Sequence, residues 1–219
     1  TAQGGGTKTL AGNLVVEGDL SIAGSAGLDV SASNYSIQEK RNWAVSSTKV
    51  GPFTCRNGTV TFAGTSSSDI SSVGIETFYN LVINNSSGVS ISGGTQQISG
   101  TLTLTSGILN QMSTLEILAG ASTIGASDNS YVDGVVTKIG NTSFSFPVGN
   151  SGVYNPLVIS APSVITDKFT VAYYSQDPNI AFDVTQKDPT IANISRCEYW
   201  SLNRTSGSSS VTVTAGWTA

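Results

Sequence analysis

The chain has 219 residues, of which 38% are hydrophobic and only 11% charged, and its net charge is −4. Its ten basic residues are scattered, which excludes the basic stripe of a nucleic-acid-binding protein and the polybasic patch of a membrane-surface protein. Histidine is absent, which removes Ser-His-Asp and Cys-His catalysis and most zinc sites.

No apolar run approaches the roughly 20 residues needed to cross a bilayer as a helix, and no signal-peptide pattern opens the chain. The chain is therefore expected not to span a membrane. Thr1 to Thr7 reads as the start of an excised piece, and Val211 to Trp217 as a strand cut off near its finish, so a fragment of a longer protein is expected. The missing charge is replaced by 34 serines and 25 threonines. Because β-branched residues keep returning in alternation among them, the composition implies ordered strands rather than disorder.

From about residue 7 a phrase recurs: a small polar pair followed by an apolar–polar–apolar triplet. It reads Gly12-Asn13-Leu14-Val15-Val16, Ser33-Asn34-Tyr35-Ser36-Ile37 and Gly58-Thr59-Val60-Thr61-Phe62, then Tyr79-Asn80-Leu81-Val82-Ile83 and Gly100-Thr101-Leu102-Thr103-Leu104. The triplets begin at residues 14, 35, 60, 81 and 102, with spacings of 21, 25, 21 and 21. A second series holds Leu20-Ser21-Ile22, Trp43-Ala44-Val45, Val89-Ser90-Ile91 and Leu115-Glu116-Ile117. Short strands at such a period predict a right-handed parallel β-helix over residues 1–126. Leu14, Tyr35, Val60, Leu81 and Leu102 are expected in one inward column, and Val16, Ile37, Phe62, Ile83 and Leu104 in the next.

After Ser127 the phrase stops, and five of the six prolines lie beyond residue 146. Longer strand candidates follow at Tyr131–Lys138, Ser143–Pro147, Leu157–Ser160, Phe169–Tyr174, Glu198–Asn203 and Ser209–Thr214, with a long loop from Ser175 to Ser195. Their irregular spacing predicts an antiparallel β-sandwich-like module over residues 127–219, capping the open end of the solenoid.

The stretches Phe78–Val89 and Ile98–Gly107 are similar to repeat regions of very large secreted and cell-surface proteins of Bacteroidetes. The segments Tyr131–Gly140, Phe144–Gly149 and Glu198–Arg204 resemble the module that follows those repeats. The resemblance implies an exported, adhesin-like protein carried by the type IX secretion route and located extracellularly or at the cell surface.

Little in the sequence carries chemistry. Gly-x-Gly-x-x-Gly and phosphate-loop patterns are missing from any strand–turn–helix setting. Asp19 and Asp29, or Asp177, Asp183 and Asp188, are the carboxylates that could pair for glycoside or lyase chemistry, but the favoured reading is that turn aspartates satisfy their own backbone groups. Asp128, Asn129, Ser130 and Asp133 offer too few oxygens for calcium. Thr59, Thr61, Thr101, Thr103 and Thr105 hint at an ice-binding ladder that Ser36, Val82 and Val15 interrupt. Tyr35, Trp43, Phe53, Phe78 and Tyr79 could form a sugar platform, although alternation places Tyr35 inward. Cys55 and Cys197 are expected to be two unpaired buried thiols, with a disulfide bridging the two modules as the alternative. The sequence thus predicts no catalytic, cofactor or metal residues and a non-catalytic stalk or adhesive module. Surface glycans, other cell-surface proteins and the secretion machinery are its candidate partners. A polysaccharide-binding or polysaccharide-cleaving β-helix is the alternative.

Overall fold

The computed structural model describes residues 1–216; Trp217, which closes the last predicted strand, lies outside the described residues. A full coil carries three short strand segments, and most segments pair in parallel with their equivalents one coil away. The first face stacks Gly5–Thr9, Ser25–Asp29 and Phe53–Thr54. It resumes with residues 75–78 and 95–98, then Thr114–Ile117 and Val136–Ile139. The second face stacks Leu14–Val16, Ile37–Glu39, Thr59–Phe62, residues 80–83 and 101–104, and Ser122–Ile124. The third stacks Leu20–Ile22, Trp43–Val45, Ser68–Ser72, Val89–Ile91, Leu109–Gln111, Val132–Asp133 and Val148–Asn150. The chain is all-β and folds as a parallel β-helix. Its one helical element among the described residues is a three-residue 3-10 turn, Pro178–Ile180.

Alternation puts one residue of each pair inward, so inward side chains stack coil upon coil. The first column of the second face is Leu14, Ile37, Val60, Leu81, Leu102 and Thr123; the second is Val16, Glu39, Phe62, Ile83 and Leu104. Tyr35 is therefore not in the first column, and Ile37 belongs to the first column rather than the second. The displacement arises in the turn before them. Ser31 and Asn34 both take left-handed conformations there, with φ of 67° and 55°, and Tyr35 N–H donates to Val30 O at 3.0 Å. The turn absorbs two more residues than a strict period allows. Leu115–Ile117 likewise leaves the series assigned to it: it pairs with residues 96–98 on the first face, while Ile70 and Leu109 occupy the third.

Where the coils are widest, three aromatic rings fill the core. Trp43 meets Phe53 and Phe78 edge-on at 4.8 and 5.4 Å between ring centroids, the geometry aromatic quadrupoles favour. The same hydrophobic core continues without a break to Phe169, Val171 and Tyr173.

Parallel stacking runs past Ser127, through Val132–Asp133 to Val148–Asn150. The pairings beyond are antiparallel. Lys168–Tyr174 adds to Val136–Ile139 on the first face and Tyr199–Ser206 adds to it in turn. On the third face Val153–Tyr154 adds to Val148–Asn150. Phe144–Phe146 pairs with Leu157–Ile159, which pairs with Val213–Ala215. Lys168–Tyr174, Tyr199–Ser206 and Val153–Tyr154 thus extend the solenoid's own sheets, while Phe144–Phe146, Leu157–Ile159 and Val213–Ala215 form a separate three-stranded antiparallel sheet.

The recurring polar pair has a mechanical role at the corner before the second face. Asn13 Oδ1 accepts from Ser36 N–H at 3.0 Å, Asn34 Oδ1 from Asn57 N–H at 3.0 Å, and Asn80 Oδ1 from Thr101 N–H at 3.1 Å. Each carboxamide thereby ties one coil to the next where the backbone ladder is interrupted. At the following corner Gly107 sits at φ 86°, and a Cβ there would lie 1.8 Å from Asn85 O. Gly107→Ala is expected to cost at least about 2 kcal/mol, from the left-handed backbone and the clash together. Gly12→Ala, with open space around its Cα, should stay within about 0.5 kcal/mol of the parent. Urea titrations of the two variants measure the difference.

Candidate functional site

The carboxylates weighed for catalysis are engaged in structural roles. Asp29 takes a bidentate pair from Arg56 at 2.7 and 2.8 Å and a third bond from Ser31 N–H; the guanidinium holds its carboxyl below the usual range. Asp19 accepts from the backbone N–H and side-chain amide of Asn42 in the next coil. Asp183 and Asp188 close turns on Thr185 and Thr190, and Asp177 caps the 3-10 turn through Asn179 N–H. Asp128 accepts from Tyr154 N–H and Asp133 from Asn150 Nδ2, so these residues bridge strands. Among the described residues, His, Cys, Asp and Glu form no group of three or more able to hold a metal ion.

The threonines of the second face point outward but mix with other residues. One outward column runs Thr59, Asn80, Thr101, Ser122; the other runs Val15, Gln38, Thr61, Val82, Thr103, Ile124. In the first, Asn80 Nδ2 donates to Thr59 Oγ1 at 3.3 Å, and the Thr101 and Ser122 hydroxyls lie 3.3 Å apart. Of the suggested sugar platform, Trp43, Phe53 and Phe78 are core, and Tyr35 and Tyr79 are half-buried. Sequence reasoning missed a different aromatic group: Tyr174 stacks on Tyr199 at 4.7 Å, and exposed Phe182 meets Tyr199 edge-on at 5.6 Å. These residues are far apart in the chain and come together only through the antiparallel pairing of Tyr174 with Tyr199. Cys55 and Cys197 are both free, as expected, but Cys55 is only partly buried and Cys197 is exposed.

The unexpected chemistry lies inside the coil. Glu39, Glu76, Gln96 and Lys138 occupy inward positions and are almost wholly buried. Their parity was legible: Glu39 is two residues from Ile37, Glu76 two from Phe78, and Gln96 two from Ile98. Glu39 Oε1 accepts from Arg41 N–H at 2.9 Å, whereas its Oε2 is buried without a partner. Burial raises its pKa to about 7, against the opposing N–H groups of Arg41 and Lys40. Burial raises Glu76 further, to about 8, with only the Thr77 N–H opposing. Glu76 lies in register with Gln96, whose Nε2 donates to Gly93 O and Ser72 Oγ. Glu76 Oε2 and Gln96 Oε1 are both buried and unpaired. Further along the core, Lys138 Nζ donates to Leu118 O at 2.7 Å and Ala121 O at 2.8 Å, and lies 5.0 Å from the Phe144 ring centroid. Burial lowers its pKa to about 8.

Compared with known proteins, the chain matches no family model, no curated protein and no solved structure.

The two glutamates impose a pH dependence on stability. A carboxyl whose pKa is higher folded than unfolded binds its proton more tightly in the native state. Its contribution is complete below the ordinary value of 4.5 and is lost as pH rises through about 7 for Glu39 and about 8 for Glu76. Lys138 gains its neutral form only above about 8, so the window from pH 5 to 8 isolates the acids. The melting temperature should fall across that window, and Glu76→Gln should flatten the fall. Thermal melts of both proteins at matched ionic strength test this; an unchanged slope in the variant would refute it.

Proposed function

We propose that the chain is a non-catalytic structural and adhesive segment of a secreted or cell-surface protein, a stalk or adhesion module carried by the type IX route. The observation that carries this is the pairing of one uninterrupted core with an outward surface of coil-bridging hydroxyls and carboxamides. A β-helix of this kind gains length by adding coils, each held chiefly by its neighbours. Such a body projects whatever is attached to it. Its weakly charged, hydroxyl-rich faces suit broad polar contact with glycans or other surface polymers. The non-catalytic reading is supported by the fate of the aspartates, since Asp19, Asp29, Asp183 and Asp188 are engaged by neighbouring turns and coils. General acid–base cleavage needs two free carboxylates flanking one bond.

The test uses insoluble surface polysaccharide prepared from Bacteroidetes cells. The protein should be retained on it, in a salt-tolerant manner, without any increase in reducing ends. Release of reducing ends or of unsaturated oligosaccharides that grows with protein concentration would overturn the non-catalytic assignment. Failure to be retained on any such polymer would overturn the adhesive one.

A further inference from the structure

Most of the ten basic side chains are engaged within the fold. Arg56, Lys168 and Arg196 are ion-paired, and Lys8, Lys138, Lys187 and Arg204 donate to backbone carbonyls. Among the described residues only Lys40, Arg41 and Lys49 are left without a side-chain partner. Two of these three stand side by side. Lys40 and Arg41 follow Glu39 at the corner that ends the second face, and both line a cavity of about 190 Å³ with Glu17, Gly64, Thr65 and Ser66. The register of Val16, Glu39 and Phe62 brings the residues after them, Glu17, Lys40 and Ala63, to the same corner of successive coils. The wall facing the two cations is held in place from both sides. Gly64 lies so close to the coil before it that a Cβ there would come within 2.1 Å of Lys40 O. From the coil after it, wholly buried Asn85 donates from Nδ2 to Ser66 O at 2.8 Å, and Ser87 Oγ donates to Thr65 O at 2.9 Å. These bonds occupy carbonyls of the turn, whereas the N–H groups of Gly64, Thr65 and Ser66 have no acceptor among the described residues.

We propose that this corner binds one monoanionic group of an acidic polysaccharide, a uronate carboxylate or a sulfate ester, with Lys40 and Arg41 as its cations and the turn 64–66 supplying N–H donors. The ligand class follows from charge, size and donor type. A guanidinium matches the paired oxygens of a carboxylate or sulfate, and an ammonium adds a point charge beside it. Consecutive unpaired N–H groups in a turn are the backbone's own anion site. The Glu17 carboxylate on the same rim offsets one of the two cations. One positive charge remains, which suits a monoanion better than a phosphate monoester carrying nearly two charges. The cavity is smaller than the roughly 300–1,000 Å³ of pockets that enclose a whole ligand, so it takes a group projecting from a chain. Because the turn is fixed by Asn85 and Ser87 before any ligand arrives, little ordering is lost on binding. The chain's net charge of −4 opposes a polyanion, but that repulsion is screened beyond about 8 Å at physiological salt. The inference deepens the adhesive reading and rests on it only for the polymer that bears the anion.

The experiment is an NMR titration of the whole ¹⁵N-labelled chain, at low ionic strength, with methyl glucuronide, methyl glucoside 6-sulfate, neutral methyl glucoside and sodium sulfate. At least one of the two anionic glycosides should shift the amides of Arg41, Gly64, Thr65 and Ser66 together, and methyl glucoside should not. Raising the salt concentration should weaken that binding. Replacing both cations, Lys40→Gln with Arg41→Gln, should weaken it about tenfold, the scale of one charge-assisted hydrogen bond. Lys49→Gln removes an unpaired cation outside this corner and should leave the affinity unchanged. Glu17→Gln, at an exposed position, should strengthen binding and reads the site independently if the double variant fails to fold. The proposal is overturned if neither anionic glycoside shifts these amides, if the neutral one shifts them equally, or if binding survives loss of both cations. It is also overturned if Lys49→Gln costs as much as the double variant, or if sodium sulfate alone binds, which means an adventitious ion only. Any of these results removes the site and leaves salt-tolerant retention on whole polysaccharide, and with it the adhesive reading, standing on its own assay.

Discussion

Every feature of this protein depends on one constraint: each coil must lie in register on the next. In a parallel β-helix the strand ladder runs along the solenoid axis, so a residue's neighbours inside the core are its equivalents one coil away. A column such as Leu14, Ile37, Val60, Leu81 and Leu102 is the result. The corners are where that register is most easily lost, since the ladder stops and backbone groups are left over. Here side-chain amides take up the task, with Asn13, Asn34 and Asn80 each accepting an N–H from the following coil. Glycine serves the opposite need. At Gly107 the next corner approaches so closely that no Cβ fits.

The same constraint explains why polar residues inside the coil are consequential. A sandwich core can rotate an unwelcome side chain toward an edge, but an inward position in a stacked coil has only its column neighbours. Glu39 sits between Val16 and Phe62, and Glu76 abuts Gln96. Their raised pKa values have burial as the largest cause, which is the response expected when a carboxylate loses water without gaining a cation. Lys138 solves the problem differently. It stands above Ile117 in the first-face column, and its ammonium binds two carbonyls of the corner below. A lysine there stands between Ile117 and Phe169 and reaches corner carbonyls with its ammonium.

Much of the architecture was legible because alternation and repetition are written at the level of single residues. The triplets marked the second face, and their glycine and asparagine punctuation marked its corners. What escaped notice shares a physical cause: corner turns of variable length. Two extra residues around Ser31 and Asn34 displaced Tyr35 from its assigned column, since a period-two pattern gives no warning of a shift by two. Stacking past Ser127 was hidden because Thr123 takes the place held by Leu102 one coil earlier, so the phrase vanished while the register continued. The buried acids were readable by parity alone, but hydrophobic periodicity counts only apolar residues. The break in the first face between Phe53 and residue 75 was not readable, because it is the absence of a pairing.

Ends and breaks, not faces, are therefore where this scaffold departs from uniformity. At the C-terminal side the open edges of the first and third faces receive antiparallel strands, Lys168–Tyr174 and Val153–Tyr154. Covering an edge in this way removes the template on which another chain could add. Between Phe53 and residue 75 the first face is left uncovered and lined by apolar side chains around a buried acid. Where stacking is complete, outward residues vary from coil to coil and the surface has no single chemistry. Where stacking fails, apolar side chains such as Val50, Val73 and Ile75 come to the surface while Glu76 stays buried behind them.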